Sequence, residues 1–278
     1  MDGNNNIYPV AWAIVEIENG ESWSWFLRLL MEDLGKEEGQ GMTIMSDRQK
    51  GIREAFKVVT PKPHIRYCVR YIWANFKLQF TGIIFKETFW NAARASTEAE
   101  FKREMAGLKS LSERVWKYLD DIGAYHWSRH AFNTSCKPNM LTNNMCESFN
   151  AVLKEVRDKP ILTMMEWIRR YVMKRHYEKR EGVKVFDGKV MPYVDKFLKW
   201  AKNEADCCDV WASSNFSFEV MYMSKEYVVD LPTQTFTCGH WQLAGLPCQH
   251  AIAAINNQRA NYKDFVHENQ SMGKGGYG

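Results

Sequence analysis

The sequence predicts an α+β chain with a helix-rich body over residues 1–205, a small β-containing module over residues 215–258, and a loose tail over 268–278. Three observations carry that prediction. Apolar residues recur at helical spacing through most of residues 86–121 and 143–202, the period changes to alternation after Trp211, and a Cys/His constellation occupies the segment from Cys238 to His250.

Residues 7–16 are an almost continuous run of apolar, β-branched and aromatic side chains, which predicts a strand buried on both faces. Asp2-Gly3-Asn4-Asn5-Asn6 ahead of it has the composition of a hairpin loop, because Gly and Asn accept positive φ. Residues 21–34 place Trp23, Phe26, Leu27 and Leu30 on one side of a helix, with Gly35 as its C-cap. A short strand at 42–46 leads into Asp47-Arg48-Gln49-Lys50-Gly51. Ile52, Ala55, Phe56 and Val59 then follow at helical spacing until Pro61 and Pro63 stop the helix.

A further strand is expected at 64–68, before an amphipathic segment that runs through Phe80. Within 86–121, Thr97 and Glu100 are spaced as a capping box in front of Phe101, Met105 and Leu108. Helices are expected at 143–157, at 161–180 behind Pro160, and at about 193–202. Beyond a boundary near 205–214, Phe216, Phe218, Val220 and Tyr222 share one strand face. Met223-Ser224-Lys225-Glu226 then turns the chain into a strand over 227–231.

Composition narrows the function less than the motifs do. A net charge of +4 permits nucleic-acid contact without demanding it. No apolar run reaches the ~18–20 residues that a bilayer-spanning helix needs, and the N-terminus is polar rather than signal-like, so a soluble intracellular protein is expected. Seven cysteines at irregular spacing argue for reduced thiols, some of them metal ligands, over a disulfide framework. Trp73, Trp90, Trp116, Trp127 and Trp167 fall at core spacing. Arg169, Arg170, Lys174, Arg175, Lys179 and Arg180 crowd one helix with only Glu178 opposing them. That cluster suits phosphate neutralisation and, equally, a solvated face complementing the helix dipole.

The chemistry concentrates in Phe236-Thr237-Cys238-Gly239-His240-Trp241-Gln242-Leu243-Ala244-Gly245-Leu246-Pro247-Cys248-Gln249-His250. Zinc favours about four N or S ligands in a tetrahedron. Cys248 and His250, two residues apart after a Gly-x-Pro turn, sit where the chain enters a helix over 251–257, whose first-turn N–H groups favour thiolate charge. The order of Cys238, Trp-Gln-Leu and Gly-x-Pro-Cys-x-His-Ala-Ile-Ala resembles the SWIM-type zinc finger of plant Mutator-like transposases, a ββα module with ligands Cys-x-Cys and Cys-x-His. Three ligands map onto Cys238, Cys248 and His250, and Phe236 stands at the position of the first cysteine. His240 is the candidate to complete a Cys-His-Cys-His set, with water as the alternative. A finger that has lost its metal and keeps Cys238 and Cys248 as buried thiols is the competing reading.

The resemblance extends along the chain through Ile7-Tyr8-Pro9-Val10-Ala11, Ser46-Asp47-Arg48-Gln49-Lys50-Gly51, Glu147-Ser148-Phe149-Asn150 and Lys159-Pro160-Ile161. It implies an RNase-H-like core interrupted by a large helical insertion, with two-metal phosphodiester chemistry from an Asp-Asp-Glu triad whose ions lie ~3.5–4 Å apart. Asp47 maps onto the second acid and Glu147 onto the third, while the first belongs to a strand ahead of the opening hairpin. The site is therefore expected to be a relict that holds no divalent metal and cleaves no DNA. Asp47 as a helix cap and Glu147 as an exposed first-turn acid are the plain structural alternatives. Cys68-Val69-Arg70-Tyr71 stands at the family's Cys-x-x-His signature with Tyr71 in place of histidine, so Cys68 is expected to be a buried thiol.

The function these residues imply is zinc binding by a non-catalytic, transposon-derived nuclear protein that contacts DNA or a protein through its finger. No membrane or small-molecule partner is expected. A fragment of an active Mutator-like transposase and a domesticated transcriptional regulator are the alternatives.

Overall fold

A computed structural model describes residues 9–133, 141–142, 144–185 and 188–268. The expected hairpin loop at 2–6 and the tail beyond 268 lie outside the described residues. Residues 9–19 form no strand, and Val10 and Ile17 are 59% and 67% exposed, which overturns the strand expected at 7–16 over its described part. A doubly buried strand needs a hydrogen-bonded partner and cover on both faces, and among the described residues nothing pairs with this segment.

The first helix, α1 (Gly20–Asp33), starts with a reciprocal capping box between Asn19 and Ser22. Its C-cap is Leu34, one residue ahead of the glycine expected there; Gly35 follows at a φ of 59°, and Lys36 N–H bonds back to the Met31 carbonyl at 3.0 Å. Leu27 and Met31 pack with Ile52, Ala55 and Phe56 of α2 (Lys50–Val59). That helix connects two parallel strands, β1 (Thr43–Ser46) and β2 (His64–Tyr67), paired in register Ile44↔Ile65, so the segment is a β-α-β unit.

A helical body follows: α3 (Val69–Gln79), α4 (Ile83–Arg94), α5 (Glu98–Leu111), α6 (Glu113–Asp120) and the short α7 (Ala124–Trp127). Phe76, Phe89, Leu108, Leu119 and Trp127 are sealed in its core, and the Phe89 and Trp127 rings stack at 5.5 Å. Trp127 meets the expectation for the tryptophans, whereas Trp73, Trp90 and Trp116 are only partly buried around it. Cys68 occupies the N-cap position of α3 without a side-chain capping bond, and it is fully buried as expected. At the start of α5, the Thr97 hydroxyl accepts the Glu100 N–H at 3.2 Å. The Glu100 carboxylate accepts the N–H of Ser96 rather than that of Thr97, so the expected box closes one residue early.

Beyond α8 (Asn144–Leu153) and α9 (Ile161–Lys184), α10 (Pro192–Ala205) leads into an antiparallel sheet. Its strands β3 (Asp209–Ala212), β4 (Ser217–Tyr222), β5 (Lys225–Asp230) and β6 (Thr235–Phe236) lie in sequential order. The β4–β5 loop is Met223-Ser224 alone, at φ 49° and 61°, values that match the twist of a two-residue hairpin. Lys225 and Glu226, expected in the turn, pair with Tyr222 and Met221 instead. Two α-helices follow, α11 (His240–Ala244) and α12 (Gln249–Asn257), and a 3-10 helix at Tyr262–Phe265 comes after them. Phe218, Val220 and Val229 of the sheet share a core with Ile252 and Ile255 of α12 and with Val194, Leu198 and Ala201 of α10. The mixture of helices with two small sheets is an α+β arrangement. No helix among the described residues is long and apolar enough to cross a membrane.

Candidate metal centre

Three pieces of backbone bring the site together. The first is the end of the β5–β6 hairpin, where Thr237 N–H bonds to the Val228 carbonyl and sets Cys238 just past the sheet edge. The second is Gly239, whose φ of 69° swings the chain into α11. The third is Gly245, also at φ 69°, which ends α11 and returns the chain to Cys248, the extended N-cap of α12. His250 follows in the first turn of α12.

The Cys238 and Cys248 sulfurs lie 3.8 Å apart, and the Cys248 sulfur lies 3.4 Å from His250 Nδ1. All three ligand atoms fall within 4.8 Å of one another. Tetrahedral zinc with Zn–S near 2.3 Å and Zn–N near 2.0–2.1 Å sets S···S at about 3.8 Å and S···N at about 3.6 Å. The donor set and its spacing therefore fit zinc.

Backbone amides point at both sulfurs, that of His240 at Cys238 and that of Ala251 at Cys248. The hydrogen bond to Cys248, with burial, raises the Cys238 thiol above its ordinary range. Burial also pushes Cys248 up, but bonds from Cys238 and His250 outweigh it and hold that sulfur well below its ordinary value. The two shifts share one cause, the approach of the two sulfurs to 3.8 Å, and a cation bound to both would need the same approach.

Residues 227–258 match the SWIM zinc finger. The matched segment runs from β5 to the end of α12 and contains all three ligand residues. Residues 1–75 match the MULE transposase domain, which covers α1, the β-α-β unit and the start of α3. Neither curated proteins nor solved structures yield a match to the chain.

Within the SWIM finger, the His250 imidazole lies between two tyrosines. Tyr227 stacks on it at 3.9 Å and 17°, and Tyr222 meets it edge-on at 5.4 Å. Sequence reasoning placed these tyrosines on strands without linking them to the histidine. The signal was their alternation on β4 and β5, whose pairing opposes Val220 with Tyr227. Cys208 stands outside the three-residue group, with its thiol donating to the Glu204 carbonyl at 3.8 Å. Burial, then the nearby charge of Cys248, pushes its thiol up to about 11. His240 does not join the three-ligand group. Its ring stacks on Phe197 of α10 at 5.6 Å, and its buried Nε2 has no hydrogen-bond partner among the described residues. Phe236 pairs with Val229 through the backbone of β6, and its side chain lies outside the described residues.

In the MULE part, Asp47 follows β1 directly. Its carboxylate accepts the Gln49 N–H at 3.1 Å, while Gln49 itself caps α2 by accepting the Ile52 N–H at 2.9 Å. Asp47 therefore makes a local turn contact, but the helix cap expected of it in the plain structural alternative is Gln49 instead. The Glu147 backbone is in α8, and its side chain lies outside the described residues. Among the described residues, the group with metal-ligand spacing is Cys238, Cys248 and His250.

Proposed function

We propose that this chain is a non-catalytic, transposon-derived protein whose SWIM finger binds one structural Zn²⁺ through Cys238, Cys248 and His250, with His240 turning inward as the fourth ligand. The observation that carries this reading is the sulfur–sulfur spacing of 3.8 Å with an imidazole nitrogen 3.4 Å from one sulfur, under backbone amides aimed at both sulfurs. Cys248 and His250 are 3% and 4% exposed, as suits a closed structural site rather than one that keeps a position open to substrate. Bound zinc would supply a cross-link between the β6 edge and the α12 N-terminus. Apparent binding of ~10–16 kcal/mol in structural fingers makes such a link a folding determinant.

His240 is favoured as fourth ligand because Phe236 cannot ligate, because it follows Cys238 by two residues, and because its buried Nε2 lacks a partner. Cobalt substitution tests this directly. A tetrahedral thiolate spectrum that His240→Ala converts to a weaker, altered one supports the assignment, and an unchanged spectrum and affinity overturn it.

The parallel β1-α2-β2 unit, followed by helices α3 to α8, supports reading the MULE part as a piece of an RNase-H-like core with a helical insertion. We read its acid site as a relict, a reading supported by the metal-spaced group among the described residues being Cys238, Cys248 and His250, without Asp47. Contact with DNA or protein in the nucleus is the setting we propose for a transposase-derived finger on a chain of net charge +4. The MULE match itself favours a second reading, a fragment of an active transposase. Incubation of the purified chain with Mg²⁺ and terminal-repeat DNA separates the two. No cleavage is expected, and cleavage abolished by Asp47→Ala establishes the second reading instead.

A further inference from the structure

Helix α9 carries an apolar stripe in open solvent. Leu162 and Tyr177 are 82% and 65% exposed, Met165 and Met173 are also exposed, and helical spacing sets the four in one row with Arg169 among them. The helix is anchored through a different face, where Ile168 and Val172 are buried and Tyr171 meets the Phe149 ring of α8 at 6.1 Å. Among the described residues, no other helix or strand packs extensively along α9.

Charge narrows what can cover this stripe. The helix holds seven Lys and Arg against three Glu. Glu166 bonds to both Arg169 and Arg170 at 2.7 Å, and those bonds, that of Arg169 first, hold its carboxyl near 2. This corrects the expectation that only Glu178 opposes the cluster, and it leaves the positive excess after Met173, where Lys174, bridged to Glu178 at 3.9 Å, Lys179 and Arg180 lie on or beside the row and Arg175 lies on the opposite side. A second copy would set one positive helix against another, in either direction. A nucleic acid would use the cations and leave the apolar row in water.

We propose that the α9 stripe docks an acidic amphipathic helix of a partner protein. Its apolar ridge would cover Leu162, Met165, Met173 and Tyr177, and its flanking carboxylates would face the basic positions. This surface is independent of the zinc site, and its test leaves the finger untouched.

The probe is a synthetic, fluorescently labelled peptide of about three heptads, with Leu at a and d and Glu at the flanking positions. Its control is a scrambled isomer of the same composition, which keeps the charge and loses the stripe. Anisotropy titration against the full chain is expected to show the striped peptide binding at least about tenfold tighter than its isomer. The double variant Leu162→Ser/Met173→Ser, which alters only exposed side chains, is expected to keep its circular dichroism and lose that preference. Equal binding of both peptides overturns the proposal, as does a preference that the double variant retains. A mixed-sequence DNA duplex that displaces the striped peptide, with Leu162 and Met173 immaterial, assigns the face to phosphate and overturns it too. A concentration-dependent dimer in sedimentation, abolished by the double variant, assigns it to a second copy with the same consequence.

Discussion

Gly239 stands directly against Ser96: a β-carbon added at Gly239 would lie 2.6 Å from the Ser96 carbonyl oxygen, and the local φ of 69° is one that other residues adopt at a cost. The turn between α4 and α5 thus buttresses the knuckle that presents Cys238. Gly239→Ala is expected to lose at least about 2 kcal/mol, from the left-handed backbone and the backbone overlap together. Urea denaturation of the two proteins measures the loss, and an unchanged midpoint would show that the buttress does not exist.

Leu243 makes a second connection of the same kind. It belongs to α11, between the metal-ligand residues, yet its side chain is buried in the core of the helical body with Phe89, Leu108 and Trp127. Leu243→Ala is expected to cost about 2–5 kcal/mol, the range for a buried leucine that leaves a cavity. Because one side chain serves both parts, zinc release and loss of tryptophan near-ultraviolet dichroism should shift together. A variant in which zinc is lost early while the helical body melts at the original midpoint would contradict that coupling.

Burial of His130 ties stability to pH. Its ring stacks on Phe101 at 4.5 Å, and burial, partly offset by the charge of Glu98, lowers its pKa below the ordinary 6.5. The unfolded chain therefore takes up this proton first. The stabilising contribution is complete above 6.5 and is lost as pH falls through the lower folded value. Between about pH 7.5 and about pH 5.5 the urea midpoint is expected to fall, and to fall less in His130→Gln. Identical slopes in the two proteins would remove His130 from the account.

What could be read from the sequence follows the physics of local signals. The β1-α2-β2 unit was legible because Ile52, Ala55, Phe56 and Val59 keep a helical period and Pro61 and Pro63 end it. The C-terminal strands were legible from the alternation of Phe218 and Val220, and Cys248 with His250 from a Gly-x-Pro turn at a helix start. Residues 9–16, the described part of the strand expected at 7–16, were misread because β-branched composition states only what a strand would look like, not whether a partner lies beside it. The five residues of α11 are too few to show a period. The His240 ring stacks on Phe197, a partner more than forty positions earlier in the chain that no local motif reveals.

Metal analysis of the purified chain bears most directly on the zinc assignment. One zinc ion per chain is expected in the native protein, falling below about a tenth in Cys248→Ser and in His250→Ala, because a structural site with its ligand set broken loses most of its affinity. Native protein that carries only traces of zinc, at a level His250→Ala leaves unchanged, would contradict the assignment.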